Sequence, residues 1–183
     1  AVNDMVGAEM EPTGRRVING IKEELQFAGL GYLELNGSTE ENMATSQTSV
    51  AVTVIGLVDR SKLKINSVNN NAILFGFGEP RMGKELVEKP ELEVTYEIIK
   101  QFVSREEVLE IVPVGSKGIL YEANLLAEMN EFTFTESAAC HSSWLHKSAG
   151  PATAVIIAVA EEDAPNFIQA YPEAYIVGKL IKK

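Results

Sequence analysis

The chain is poor in the residues that most often build metal centres or grip nucleic acids. It has one cysteine, Cys140, two histidines and one tryptophan in 183 residues. A single thiol excludes an internal disulfide framework and any site that needs several thiolates, and it fits a reducing cytoplasm. Basic side chains are also scarce. Sixteen Lys and Arg face 26 Asp and Glu, giving a formal net charge of −10. Binding a duplex needs a basic face to neutralise phosphates, so no nucleic-acid polymer is expected as a partner. No apolar run is long enough to span a bilayer, and the longest, 152–160, has the length of a strand, so no membrane is expected either. The first ten residues carry Asp4 and Glu9 and no base, unlike a signal peptide. The chain has no initiator Met and starts inside what reads as a helix, so it is expected to be a fragment of a longer protein.

What is present is the composition of a globular protein, 45% hydrophobic and 23% charged, enough for one large domain or two small ones. Residues 2–10 read as the last turns of a helix, broken by Glu11-Pro12-Thr13-Gly14. Val17, Ile18, Ile21, Leu25 and Ala28 recur at helical spacing over 15–28, and Gly29 and Gly31 supply the stop. A short strand is expected at 32–35, a polar loop at 36–49, and a strand buried on both faces at 50–58, where almost every residue is apolar or β-branched. The polar stretch from Asp59 ends in Asn69-Asn70-Asn71 and reads as a linker. The expected organisation is a truncated first domain over 1–60, a linker at 61–71 and a second domain over 72–183.

The second domain predicts a strand at 72–77, helices at 91–103 and 116–130, and a strand at 132–135. A buried strand at 153–159, a helix running from Glu161 to Ala170 and a strand at 174–181 follow. With the first two helices taken as one crossover, the order is βαββαβ, the ferredoxin-like arrangement, with helices on one face of the sheet. The fold class is α+β.

Several polar, Gly-containing segments sit at element ends. Asn3-Asp4 before Gly7-Ala8-Glu9 offers a carboxylate for a hard cation such as Mg²⁺, or simply a solvated helix face. Asn36-Gly37-Ser38-Thr39-Glu40-Glu41-Asn42 follows a strand. Its Gly lets backbone approach a phosphate, and its hydroxyls and acids can ligate Mg²⁺; a plain polar loop is the alternative. Val114-Gly115-Ser116-Lys117-Gly118 opens a helix, where backbone N–H groups, the helix dipole and an ammonium can converge on an anion. The Walker spacing is absent there, and an N-capping Ser beside an exposed Lys is the other reading. Arg81, in the Gly-rich stretch 76–83, either reaches a phosphate or sits in a turn. Cys140, His141 and His146 cluster near Trp144, but zinc would need a further ligand and a surface loop is the simpler reading. The run from Lys147 to Pro151 is a turn or a second anion contact.

Together these motifs resemble the ATP-binding superfamily of aminoimidazole ribonucleotide (AIR) synthetase, selenophosphate synthetase, thiamine-monophosphate kinase and the hydrogenase maturation factor that dehydrates carbamoyl groups. Val2-Asn3-Asp4, Gly7-Ala8-Glu9 and Pro12 resemble its V-N-D…G-A-x-P helix. Asn36-Gly37-Ser38-Thr39 resembles its G-G-[DEH]-T, and Val114 to Gly118 its D-x-[ST]-x-G turn. The resemblance covers nearly the whole chain. It is closest to AIR-synthase-related proteins of the α-ribazole kinase type, which phosphorylate the 5′-hydroxyl of α-ribazole for cobamide assembly.

The resemblance implies an N-terminal domain that binds Mg²⁺ and ATP and dimerises through its sheet, and a ferredoxin-like C-terminal domain that closes over a small-molecule substrate. It implies Asp4 and Glu40 as metal ligands. Asn3, Gly37, Ser38, Thr39, Ser116 and Gly118 would contact the nucleotide, and Lys117 would be the catalytic cation stabilising the transferring group. The loops at 36–42 and 113–118 are expected to face each other across one cleft. Ser38 stands where the family has an acid, Val114 and Lys117 stand where its kinases have Asp, and the family's Gly- and Asp-rich N-terminal segment is not in this sequence. A non-catalytic homodimeric nucleotide-binding or regulatory module of the same fold is therefore the second reading.

Overall fold

In the computed structural model, which describes residues 1–91 and 93–183, Leu92 in the expected 91–103 helix lies outside the described residues. The chain divides into two units, Ala1–Arg60 and Ser61–Lys183.

The first unit begins with a strand, β1 (Val2–Val6), and not with a helix. Val2, Asp4 and Val6 are buried while Met5 between them is exposed, so the side chains alternate with a period of two. An acid in the buried register hides that alternation from a hydropathy reading. A tight five-residue turn, Met10–Gly14, leads into α1 (Arg15–Phe27), whose Val17, Ile18, Ile21 and Leu25 are half-buried. The strands β2 (Leu35–Thr39) and β3 (Val50–Val54) follow. The sheet order is β2-β1-β3, with β1 parallel to β2 and antiparallel to β3.

Two expectations change here. The strand expected at 32–35 lies at 35–39, so Gly37, Ser38 and Thr39 belong to a strand and not to a loop. The strand expected to be buried over 50–58 is a five-residue edge strand, with Val50, Val52 and Val54 50%, 48% and 70% exposed. An apolar run promises burial only where the sheet continues beyond it and another layer covers it.

The second unit contains β4 (Ala72–Phe77), α2 (Lys84–Glu88), α3 (Tyr96–Ser104), β5 (Val108–Pro113) and α4 (Ile119–Met129). It continues with β6 (Phe132–Glu136), α5 (Ser142–Leu145), β7 (Val155–Ala160), α6 (Ala164–Ala170) and β8 (Tyr175–Lys182). The sheet order is β5-β7-β4-β8-β6, every neighbouring pair antiparallel.

β5 corrects the expected single crossover, because it separates the two helices. With β5 as second strand, β4, β5, β7 and β8 make the ferredoxin-like set, and α4, β6 and α5 are inserted before β7. The inserted β6 pairs on the outer edge of β8. Here too an acid occupies an inward register. Glu110 is buried, and its Oε2 accepts from Asn130 Nδ2 at 3.0 Å and from Ser67 N–H at 3.4 Å.

Helices cover both faces of this sheet, not one. Along β4, Leu74 packs with Ile119, Ala123 and Leu126 of α4, whereas Phe75 and Phe77 pack with Phe102 of α3 and Phe167 of α6. The second layer is aromatic, with Phe75 and Phe102 rings 5.0 and 5.8 Å from Phe167. The stretch expected as a linker holds to this unit: Lys64 Nζ donates to the carbonyls of Arg105 and Val108, and Ser67 Oγ to that of Leu109.

Candidate functional site

In the first unit the parallel pairing of β1 and β2 puts Asp4 directly opposite Gly37. Asp4 is 2% exposed, and its Oδ2 has no hydrogen-bond partner. A Cβ at position 37 would lie 2.3 Å from Asp4 Oδ1 and 2.5 Å from its Cγ, so only glycine leaves room for this carboxylate. Asp4 opens into a cavity of about 120 Å³ lined also by Met10, Ile18, Lys22, Leu35, Gly37, Ser38 and Thr39. A buried carboxylate oxygen without a partner is unfavourable, and a cation is the usual remedy. The oxygens on offer, from Asp4 and the hydroxyl of Thr39, are the hard donors that Mg²⁺ takes. Among the described residues no group of three or more His, Cys, Asp or Glu could hold a metal. A cation at Asp4 would therefore complete its shell with hydroxyls, water or phosphate, the usual habit of Mg²⁺ beside nucleotides.

A second, more open groove of about 370 Å³ is lined by Met5, Val6 and Gly7, by Ser38, Thr39 and Glu40, and by Ser49, Val50 and Ala51. Glu40 on its rim and the neighbouring Glu41 are held by local bonds. Glu40 Oε1 accepts from the N–H groups of Asn42 and Met43 at 2.7 and 3.2 Å. Glu41 Oε1 accepts from Met10 N–H at 2.6 Å and Thr39 Oγ1 at 3.2 Å, tying the end of β2 to the turn before α1. Nearby, the hydroxyl of Thr13 bonds Glu9 and holds its carboxyl below the ordinary range.

The structure thus gathers Asp4, Gly37, Ser38 and Thr39 around one cavity, and Ser38, Thr39 and Glu40 around the next. Asn3 pairs with Asn36 and Thr53 and is on the opposite face of β1 from Asp4, because strand side chains alternate.

In the second unit Gly118 caps α4 at a φ of +83°, with no side-chain cap, so Ser116 is not the N-capping residue. A Cβ on Gly118 would lie 2.7 Å from the Leu145 carbonyl oxygen, which fixes the turn against the end of α5. The amides of Gly118 and Ala149 both donate to the Gly115 carbonyl. Ser116 and Lys117 are exposed, and Lys117 Nζ stands 4.1 Å from the centroid of the Tyr121 ring.

Other residues singled out for phosphate or metal have structural partners. Arg81 is buried; its Nη1 and Nη2 donate to the carbonyls of Lys89 and Glu91, which makes it a clamp on its own loop and not a phosphate ligand. Lys147 bonds Glu85 at 2.7 Å, and that bond holds the Glu85 carboxyl below the ordinary range. Cys140 is buried, and burial pushes its thiol up. His141 stacks against Trp144 with ring centroids 4.8 Å apart. Sequence reasoning passed over Tyr121 and Lys22. The i,i+4 spacing of Lys117 and Tyr121 was the available signal for the first. Lys22 was marked only by its place one turn after Ile18.

No family model matches the chain, and no curated protein matches it. Solved structures do. E. coli HypE, a hydrogenase maturation protein, is similar over 100% of this chain and 67% of its own, with 12% identity and a TM-score of 0.67. T. maritima PurL complexed with AMPPCP is similar over 99% of this chain and 33% of its own, with 13% identity and a TM-score of 0.66. AaThiL complexed with AMPPCP and TMP is similar over 100% of this chain and 67% of its own, with 12% identity and a TM-score of 0.58. The chain spans about two thirds of HypE and a third of PurL. At these identities the likeness is one of fold: the chain has an α+β fold shared with HypE, PurL and ThiL.

Proposed function

We propose that this chain is the nucleotide-handling part of an ATP- and Mg²⁺-dependent phosphoryl-transfer enzyme. The observation that carries the reading is the buried, unpartnered Oδ2 of Asp4 opposite a glycine that only a missing side chain makes compatible with it. The fold supports it, since PurL and ThiL have been solved as complexes with the nucleotide analogue AMPPCP.

In this reading Asp4 holds Mg²⁺ with help from the Thr39 hydroxyl, and Glu40, on the adjoining groove, acts on the metal through water. Bound there, the metal would neutralise phosphate oxygens and polarise the transferring group. Gly37 makes the space in which Asp4 can hold the metal, and the phosphates meet it along β2 at Ser38 and Thr39; Asn3, on the other face of the central strand β1, is left out of this contact. In the second unit Ser116, Gly118 and the first amides of α4 bind phosphate oxygens. Lys117 donates to the transferring phosphoryl group, where positive charge helps most as negative charge spreads over the equatorial oxygens. The acceptor is the hydroxyl of a small molecule, with the 5′-hydroxyl of α-ribazole the first to try. The enzyme acts as a homodimer in the cytoplasm, and the exposed valines of β3 offer apolar area for such a contact.

Calorimetric titration with ATP and Mg²⁺ tests the reading. Binding that needs Mg²⁺ and is lost in Asp4→Asn is expected; no binding at millimolar nucleotide overturns it. The binding of one oxygen each of Glu40 and Glu41 to local amides and hydroxyls favours a second reading, a nucleotide-binding module without catalysis. Binding without turnover of any hydroxyl acceptor, α-ribazole included, would select it.

A further inference from the structure

We propose that Tyr121 is a positioning residue for Lys117, its ring holding the ammonium in place while leaving every N–H free for an anion. The proposal rests on the phosphate role given to Lys117 above. The two residues are four apart, with Gly118 between them bent to a φ of +83° and wedged against the backbone of Leu145 and His146. That wedge fixes where Lys117 leaves the turn, and Nζ then sits 4.1 Å from the Tyr121 ring centroid.

The attraction is between a charge and the negative face of the ring, so it engages none of the three donors of the ammonium. Other lysines differ. Lys64 donates to two carbonyls, and Lys89, Lys147 and Lys179 donate to the carboxylates of Glu79, Glu85 and Glu161. Among the described residues no such oxygen partner holds Lys117.

An acid is close by. Glu122 Oε1 would lie 3.0 Å from a Cβ on Gly115, so a carboxylate leans over the same turn. An ion pair between Lys117 and this carboxylate would occupy the donors that an anion needs. The Tyr121 ring offers a competing resting place that keeps the charge available.

The test uses the full chain, with tripolyphosphate as the probe. In the ligand-free protein, the Lys117 ε-methylene protons should be shifted upfield by the ring current, unchanged in Tyr121→Phe and lost in Tyr121→Leu. Tyr121→Leu should bind tripolyphosphate about two- to fivefold more weakly, Tyr121→Phe should bind normally, and adding Glu122→Gln to Tyr121→Leu should restore binding. A Lys117 ε-methylene at its unstructured shift in the wild type overturns the proposal alone, and so does a Tyr121→Leu defect that Glu122→Gln leaves untouched. Unchanged tripolyphosphate binding in Lys117→Met, where the wild type does show the ring-current shift, overturns the phosphate role itself and the proposal with it.

Discussion

Gly37 faces Asp4 across the parallel pairing of β1 and β2, and the hydrogen where a side chain would be is what gives the carboxylate its space. Gly37→Ala would set a methyl 2.6 Å from the Asp4 backbone oxygen as well as 2.3 Å from Oδ1. The contact with the backbone oxygen is one that no side-chain rotation relieves. The variant should lose about 1–3 kcal/mol of stability, read as a lower urea midpoint, and its Mg²⁺-dependent nucleotide binding should fall with the displaced Asp4.

Asp4→Asn should separate stability from binding. Removing a buried, unpartnered charge relieves a desolvation penalty, so the metal-free variant should melt at the wild-type temperature or above it. Added Mg²⁺ and ATP should raise the melting temperature of the wild type and leave that of the variant unchanged, because a ligand stabilises only the state that binds it.

The Glu85–Lys147 pair gives a pH signature. The folded state holds the Glu85 carboxyl below its ordinary value of 4.5, chiefly through the Lys147 hydrogen bond. The unfolded chain therefore takes up the proton first as pH falls. The pair's contribution is fully present above pH 4.5 and fades as the pH drops from there through the lowered folded value. Urea midpoints measured from pH 6 to pH 3 should show a smaller decline in Glu85→Gln than in the wild type.

Arg81→Ala should destabilise without touching nucleotide affinity. The guanidinium anchors the carbonyls of Lys89 and Glu91, and Thr153 Oγ1 accepts from its backbone amide. Losing two charge-assisted bonds at a buried site is worth about 2–4 kcal/mol. Arg81→Lys should recover less than half, since one ammonium cannot reproduce the planar fork. Denaturation with and without tripolyphosphate checks both halves of the statement.

Where sequence and structure disagree, the reason is often a charge in a buried register. Ala72–Phe77 was legible because every inward residue is apolar. β1 and β5 were not, because Asp4 and Glu110 stand among their buried residues and break the alternation that marks a strand. β3 erred the other way: its valines read as core, but whether a strand is interior or at a sheet's edge is a property of its neighbours. The site shows the same limit. Lys117, Lys147 and Arg81 are equally cationic on paper, and only their partners separate a clamp and an ion pair from an uncommitted ammonium. Gly37 was marked as a place where backbone nears phosphate, whereas the close approach it permits is to Asp4, a contact that depends on the register of β1 against β2.

The bare outer rim of β3 also bears on how the polypeptide behaves outside its native setting. Among the described residues no strand pairs with that edge, so its amides and carbonyls, set between valines, form a template for another extended segment, its own sister molecules included. Ala1–Arg60 on its own should self-associate more as its concentration rises, and Val52→Lys should reduce that association.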